Sequence, residues 1–453
     1  MLFGDNILKY KDELLRDLNM LLSLESVDGA QRGECVKAME FMLKRAADFG
    51  LHGERTGEKC AHITLGEGGK DCAVLSHLDV VPAGNNWSVN PYALTERGGR
   101  LYGRGIIDDK GASMVNLYCL RALKEAGVKG NNRLRVIYGI AEETGMTDMD
   151  EYFSKQPLPD MAFTPDSDYG ICRAEKGILH LEISTQTNEA KVLSQFHSGK
   201  AINAVPDIAY VMLDSSGYDE QTLMRLADAS DGDFEFNYTI DGLMIISRGK
   251  AAHACEPEKG KNAAALLIDL ITHAYDVEDI GSLCSFIDYA INNETNGRSL
   301  GIKMSDDVSG ALTVNLGIVN IEDNTAGARL DIRYPVTVSG NYVLRKLRTV
   351  AERSGISVKL IHHEPPLYVE DDSDLIKILS SAYESVTGEK PGLYSTGGGT
   401  YARKLKGRGV AFGPAFKDDI VNMHNADESV DREKFFLHAQ ICLEAMYRLF
   451  TCE

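Results

Sequence analysis

Four apolar runs in the first 170 residues each end in groups that can hold a cation or move a proton. VLSHLD (74–79) ends in His77 and Asp79, LYGRGIIDD (101–109) in Asp108 and Asp109, RVIYGIAEE (135–143) in Glu142 and Glu143, and MAFTPDSD (161–168) in Asp166 and Asp168. Runs of this length read as buried strands. Between and before them lie helical patterns, one over 34–49 with Val36, Met39, Met42 and Leu43 on one face, another over 111–126 stopped by Gly127. Strands that alternate with helices predict a largely parallel α/β sheet, in which sites form just beyond the carboxyl ends of the strands. Side chains two apart on a strand share a face, so His77 and Asp79 can project together. Asp108 precedes a helix, where backbone dipoles favour an anion.

One acid at a strand end is an ordinary surface feature, but four such ends within about 100 residues of chain point to convergence. Converging carboxylates repel one another and cannot all ionise without a counter-charge. A pair of divalent metal ions supplies it. The donor set is rich in oxygen and free of thiolate, which suits zinc, manganese or cobalt rather than a structural cysteine-type zinc site.

From about residue 176 the texture becomes α+β. ILHLEISTQT (178–187) and LMIISRG (243–249) read as strands, 263–276 and 341–355 as helices, and ALTVNLGIVNIEDNTAGARLDIRYP (311–335) as two strands joined by a turn. After PPLYVEDDSD (365–374) the first texture returns. It brings an amphipathic helix (373–387), a glycine-rich loop STGGGTYAR (395–403), a short buried strand GVAFGP, the polar loop NMHNADE (422–428) with His424, and a last helix over 432–450. The expected architecture is α/β, a mixed and mostly parallel sheet flanked by helices, formed by 1–175 plus 367–453. An α+β domain, 176–366, is inserted as a lid, and the two would close over a cleft about a hinge.

Composition removes other classes. A chain of 453 residues exceeds one ordinary core. A net charge of −19 argues against nucleic acid, since phosphate binding needs a basic surface. The longest apolar stretches fall short of a membrane span, and MLFGDNILKYKDELL becomes charged too soon for a signal peptide. Nine cysteines, an odd number with no CxxC pair, suit the reducing cytoplasm.

HLDVVPAG, GRGIIDDKG, AEETG and MHNADE together resemble the dinuclear metallopeptidases and deacylases, the family of aminoacylase, carboxypeptidase G, desuccinylases and the peptidase V dipeptidases. STGGGTYAR is similar to the peptidase V branch, and the resemblance spans essentially the whole chain. It implies His77 and Asp166 on one metal ion, Glu143 and His424 on the other, and Asp108 bridging. It implies Asp79 as the group that orients His77, Glu142 as general base, and Asn203, His253 and Arg333 of the lid as partners of the oxyanion. A helix-start histidine, an ion-pairing arginine and a turn asparagine are the plainer readings of those three lid residues. The run Gly397-Gly398-Gly399 permits close approach to a substrate, and Gly398, Gly399 and Arg403 are candidates to contact its carboxylate. Asp168 is a candidate partner for a free ammonium group. The resemblance also implies a cis Asp108–Asp109 peptide, and a monomer.

The expected activity is that of a cytoplasmic metal-dependent dipeptidase acting on short peptides with a free N-terminus. An N-acyl or N-succinyl amino acid deacylase shares the same metal core, and a non-catalytic binding protein on this fold would lack a ligand or the base. A nucleotide-binding protein fits worse. GRGIID lacks the last glycine of the dinucleotide fingerprint, and the aspartate pair would repel a pyrophosphate.

Overall fold

Successive side chains of the Asp71–His77 strand pack into two different cores. Cys72 and Val74 join one, with Val136, Tyr138 and Phe163 of neighbouring strands, while Ala73 and Leu75 join the other, with Ile137, Ala162 and Tyr401. A sheet buried on both faces must be covered by helices on both. Phe3–Tyr10 (a 3-10 helix), Lys11–Leu22, Arg32–Asp48, Lys110–Glu125 and Arg432–Thr451 contribute to the first core. Thr147–Lys155 and the 3-10 turn Tyr401–Leu405 contribute to the second. The computed structural model describes residues 2–29, 32–185, 190–215, 217–322 and 325–452.

The chain divides into two compact units: 1–174, 367–395 and 399–453 form one, and 175–366 with 396–398 the other. The first holds a nine-stranded mixed sheet. Its order is His52–Thr56, Cys60–Leu65, Arg133–Gly139, Asp71–His77, Met161–Thr164, Gly409–Ala411, Ile171–Glu175 and Leu367–Tyr368, with Leu393–Thr396 paired beside Ile171–Glu175. The four central strands, from Arg133–Gly139 to Gly409–Ala411, run parallel, and their outer neighbours are antiparallel. This is the mixed, mostly parallel sheet flanked by helices that the sequence predicts. His77 pairs with Gly139 in register, and Val74 with Phe163. Strand ends that are nearly level bring the residues just beyond them to one edge of the sheet.

LYGRGIIDD differs from the expected strand. Only Arg100–Tyr102 is extended, and it pairs with Thr95–Arg97 and Ser429–Asp431 in a small separate sheet. Gly105 has φ of 89°, which breaks a ladder, and the backbone N–H groups of Gly105, Ile107 and Asp108 turn onto the Glu428 carboxylate instead. Asp108 thus sits in a turn ahead of the Lys110–Glu125 helix, and its peptide to Asp109 is cis.

The second unit is an eight-stranded antiparallel sheet in the order Asp233–Tyr238, Gly242–Arg248, Ile208–Asp214, Leu193–Ser198, Thr313–Glu322, Thr325–Tyr334, Gly177–Ser184 and Ser357–Glu364. Helices Ala263–Ala274, Ser282–Ala290 and Gly340–Arg353 pack on it through Leu267, Ile271, Ile287, Val343 and Leu347. Asn262 caps the first of these by accepting from the N–H groups of Ala264 and Ala265. The turn expected inside 311–335 and the end of the strand expected over 178–187 fall on 323–324 and 186–187, outside the described residues. Among the described residues no helix is long and apolar enough to cross a membrane.

Candidate metal centre

The Asp108 carboxylate lies between two imidazoles. Its Oδ1 is 2.8 Å from His77 Nε2, and its Oδ2 is 2.8 Å from His424 Nε2. Asp166 Oδ1 is 3.9 Å from His77 Nε2, and Glu143 Oε1 is 3.3 Å from His424 Nε2. His77, Glu142 and Asp166 can place one ligand atom each within 4.8 Å of one another, and so can His77, Asp108 and Glu143. Residues as distant in sequence as His77 and His424 therefore converge, with His77 and Asp166 on one side of Asp108 and Glu143 and His424 on the other.

Each is held by the fold immediately around it. His77 ends its strand, and its backbone N–H donates to Asp109. Its Nδ1 faces the main-chain oxygen of Asp79 at 2.9 Å, with the Asp79 carboxylate further off at 3.5 Å. Of the two Asp79 groups, the carbonyl lies closer to Nδ1. That carboxylate is engaged elsewhere, accepting from the N–H groups of Glu142 and Glu143, so that it shapes the turn carrying both. His424 sits at φ of 62° in its loop and is half exposed.

The donor set fits divalent cations on two counts. A carbonyl oxygen only accepts, so Nδ1 of His77 carries a proton, and Nε2, the nitrogen left for a cation once the ring is neutral, faces the carboxylates of Asp108 and Asp166. Glu143 Oε1 is buried, and the His424 ring it meets at 3.3 Å is itself a candidate metal-binding group.

The electrostatics agree. Burial, then the neighbouring Asp108, pushes the Asp166 carboxyl up to about 7. Burial and Asp166 push Glu142 well above the carboxylate range, and burial raises Glu143 as well. Burial also works against ionised Asp108, but the hydrogen bonds from His424 and His77 hold it below its usual value. Its two oxygens carry the paired negative charge of the cluster.

The family model described as Peptidase family M20/M25/M40 matches residues 73–448. The chain belongs to the M20/M25/M40 peptidase family. It is 32% identical over 98% of both chains to "Putative dipeptidase YtjP" of Bacillus subtilis. Two solved structures share its fold. The M20 family metallo-carboxypeptidase Sso-CP2 of Sulfolobus solfataricus superposes with a TM-score of 0.60 at 17% identity, covering 96% of this chain and 98% of that one. The di-peptidase Dug1p of Saccharomyces cerevisiae also gives 0.60, at 14% identity, covering 100% and 98%. This M20 chain is an enzyme, a peptide hydrolase with residues arranged to bind metal.

In the second unit of this M20 peptidase, Asn203 and His253 are exposed residues on neighbouring segments, joined by a bridge between Ala204 and His253. Arg333 is buried. It makes a two-pronged ion pair with Asp331, at 2.6 and 2.7 Å, and donates to Gly397 O at 2.9 Å. Arg403 is also buried, its guanidinium packed where a Cβ on Gly399 would lie. Asp168 is exposed in a two-residue strand.

Sequence reasoning assigned no role to two further groups. Glu428 is fully buried against Arg104 and holds the turn before Asp108 by accepting its N–H groups. Asp148 accepts from Ala141 N–H at 2.9 Å and from the Tyr401 hydroxyl, while the Tyr401 ring meets His77 edge-on at 6.2 Å. The available signals were an acid four residues after His424 and another five after Glu143, each in a polar stretch that gives no sign of burial.

Proposed function

We propose that this M20 peptidase is a cytoplasmic, monomeric dipeptidase that hydrolyses dipeptides or short peptides with a free N-terminus. The observation that carries the reading is the Asp108 carboxylate shared by two imidazoles, with a half-buried Glu142 gathered against His77 and Asp166. His77 and Asp166 would hold one divalent ion, Glu143 and His424 the second, and Asp108 both. When bound, a pair of zinc ions, or of manganese or cobalt, supplies Lewis acidity that lets water act as a nucleophile near neutral pH.

Glu142 takes the proton of the attacking water and passes it to the leaving amine nitrogen. Its upward-shifted carboxyl suits both halves of that task. Asn203, His253 and Arg333 of the inserted unit would offer donors to the developing oxyanion. Gly398, Gly399 and Arg403 belong to the carboxylate end of the pocket, with Arg403 acting from behind the loop. The nine free cysteines are consistent with a reducing compartment.

Purified enzyme loaded in turn with zinc, manganese or cobalt should cleave unblocked dipeptides far faster than N-acetyl or N-succinyl amino acids. The reverse preference would make it a deacylase on the same core. Absence of turnover on both, with metal bound, would leave a binding protein.

A further inference from the structure

Asn315 lies in the Thr313–Glu322 strand of the second unit and is 1% exposed. Its Nδ2 donates to the main-chain carbonyls of Ile202 at 3.0 Å and Ala204 at 2.9 Å, the two residues that flank Asn203. The Asn203 carbonyl accepts from Ala254 N–H at 2.9 Å, and the Ala254 carbonyl accepts from the Thr313 hydroxyl at 3.4 Å. One short stretch of strand, Thr313 to Asn315, thus fixes both the loop that carries Asn203 and the segment that carries His253. The paired strand places Arg333 opposite Thr313 and Asp331 opposite Asn315.

The orientation of the Asn315 amide follows from chemistry. Two carbonyls can only accept, so the NH2 group faces them. Its Oδ1 is buried without a hydrogen-bond partner among the described residues. An unsatisfied buried oxygen opposes stability, so the side chain is explained by its donors, not by filling space.

We propose that Asn315 is a positioning residue that sets the spacing between Asn203 and His253. This rests on the reading of those two as substrate contacts. Donors aimed at a developing charge lose most of their effect when displaced by about 1 Å, on the order of 100-fold in rate.

The test uses metal-saturated full-length enzyme and one dipeptide substrate, with Asn203→Ala, His253→Ala, Asn315→Ala, Asn315→Asp and the double variant Asn203→Ala/Asn315→Ala. Asn315→Asp keeps the volume, replaces the donor with an acceptor, and stands in if Asn315→Ala does not fold. Either Asn315 variant should lower kcat by about 10- to 100-fold with a smaller change in KM. In the Asn203→Ala background the same change should cost under about threefold, because residues acting through one another are not additive.

Hydrogen exchange at the Ala254 amide should quicken in the Asn315 variants, while amides of the Asp71–His77 strand keep their rates. If Asn203→Ala and His253→Ala both keep wild-type kcat, the assignment of the substrate contacts fails first. If those two lose turnover but the Asn315 variants keep it, or lose it additively, or leave Ala254 exchange unchanged, the positioning role is overturned and the substrate contacts stand.

Discussion

Glu142 and Glu143 are neighbours in the chain with different surroundings. Glu143 approaches His424 at 3.3 Å, whereas Glu142 gathers with His77 and Asp166. Glu142→Gln keeps the shape and removes the proton carrier. It should still bind two metal ions per chain by elemental analysis while kcat falls by about 10²- to 10⁴-fold; an unchanged kcat would remove Glu142 as the base. Glu428 acts at one remove. Its loss in Glu428→Ala strands a buried Arg104 and frees the turn before Asp108, so urea unfolding should show a loss of about 3–5 kcal/mol. Metal titration of the same variant should show affinity weakened by about 10- to 100-fold. The candidate ligands were legible because each sits just past a recognisable apolar run, apart from His424, which the family resemblance supplied. Glu428 was not legible, because its partners are backbone N–H groups about 320 residues earlier in the chain, and no local pattern records such a contact. The same blindness hid the backbone contacts of the Asp79 carboxylate.

The central strands were readable because alternate residues must fill two cores, which forces nearly continuous apolar runs. LYGRGIIDD misled because its apolar residues are buried without being extended: Ile106 and Ile107 pack into the core from a turn that glycine permits. The glycine-rich loop carries a similar lesson. A Cβ on Gly397 would lie 2.6 Å from Cys255 Cβ, and one on Gly399 would lie 2.5 Å from Arg403 Nε, so packing within the protein demands both glycines. At Gly398 the nearest atom is Thr396 Oγ1 at 3.4 Å. Gly397→Ala should therefore destabilise by about 1–3 kcal/mol, and Gly398→Ala by less than about 0.5 kcal/mol, both read from denaturant midpoints. If the loop touches substrate, Gly398→Ala should instead raise KM; equal losses of stability at the two positions would refute this division of labour.

The sheet edge assembles carboxylates that resist ionisation, and this couples metal binding to pH across the whole molecule. Asp166 rises from 3.8 to about 7, chiefly through burial and then through Asp108, so between those values the folded chain holds a proton that the unfolded chain has released. Stability from that group is present at low pH and is lost as pH rises from about 4 to about 7. His424, raised to about 10 by Asp108 and then Glu143, has the same sign: its contribution is full below about 6.5 and lost as pH climbs through about 10. His62 and His438, lowered by burial to about 4 and about 3, run the other way, losing their contribution as pH falls below 6.5. Neither lies among the proposed ligands, so both cancel when metal-loaded and chelated protein are compared at one pH. Cations need Asp166 and both imidazoles deprotonated, so each proton these groups hold competes with metal. At fixed free metal, the rise in Tm produced by metal should therefore grow from pH 5 to pH 8. Thermal unfolding with and without chelator across that range measures it directly. A metal-induced shift that stayed flat or shrank with rising pH would mean that the cations bind away from the Asp108 cluster, because only ligands that carry protons in the metal-free fold can impose this slope.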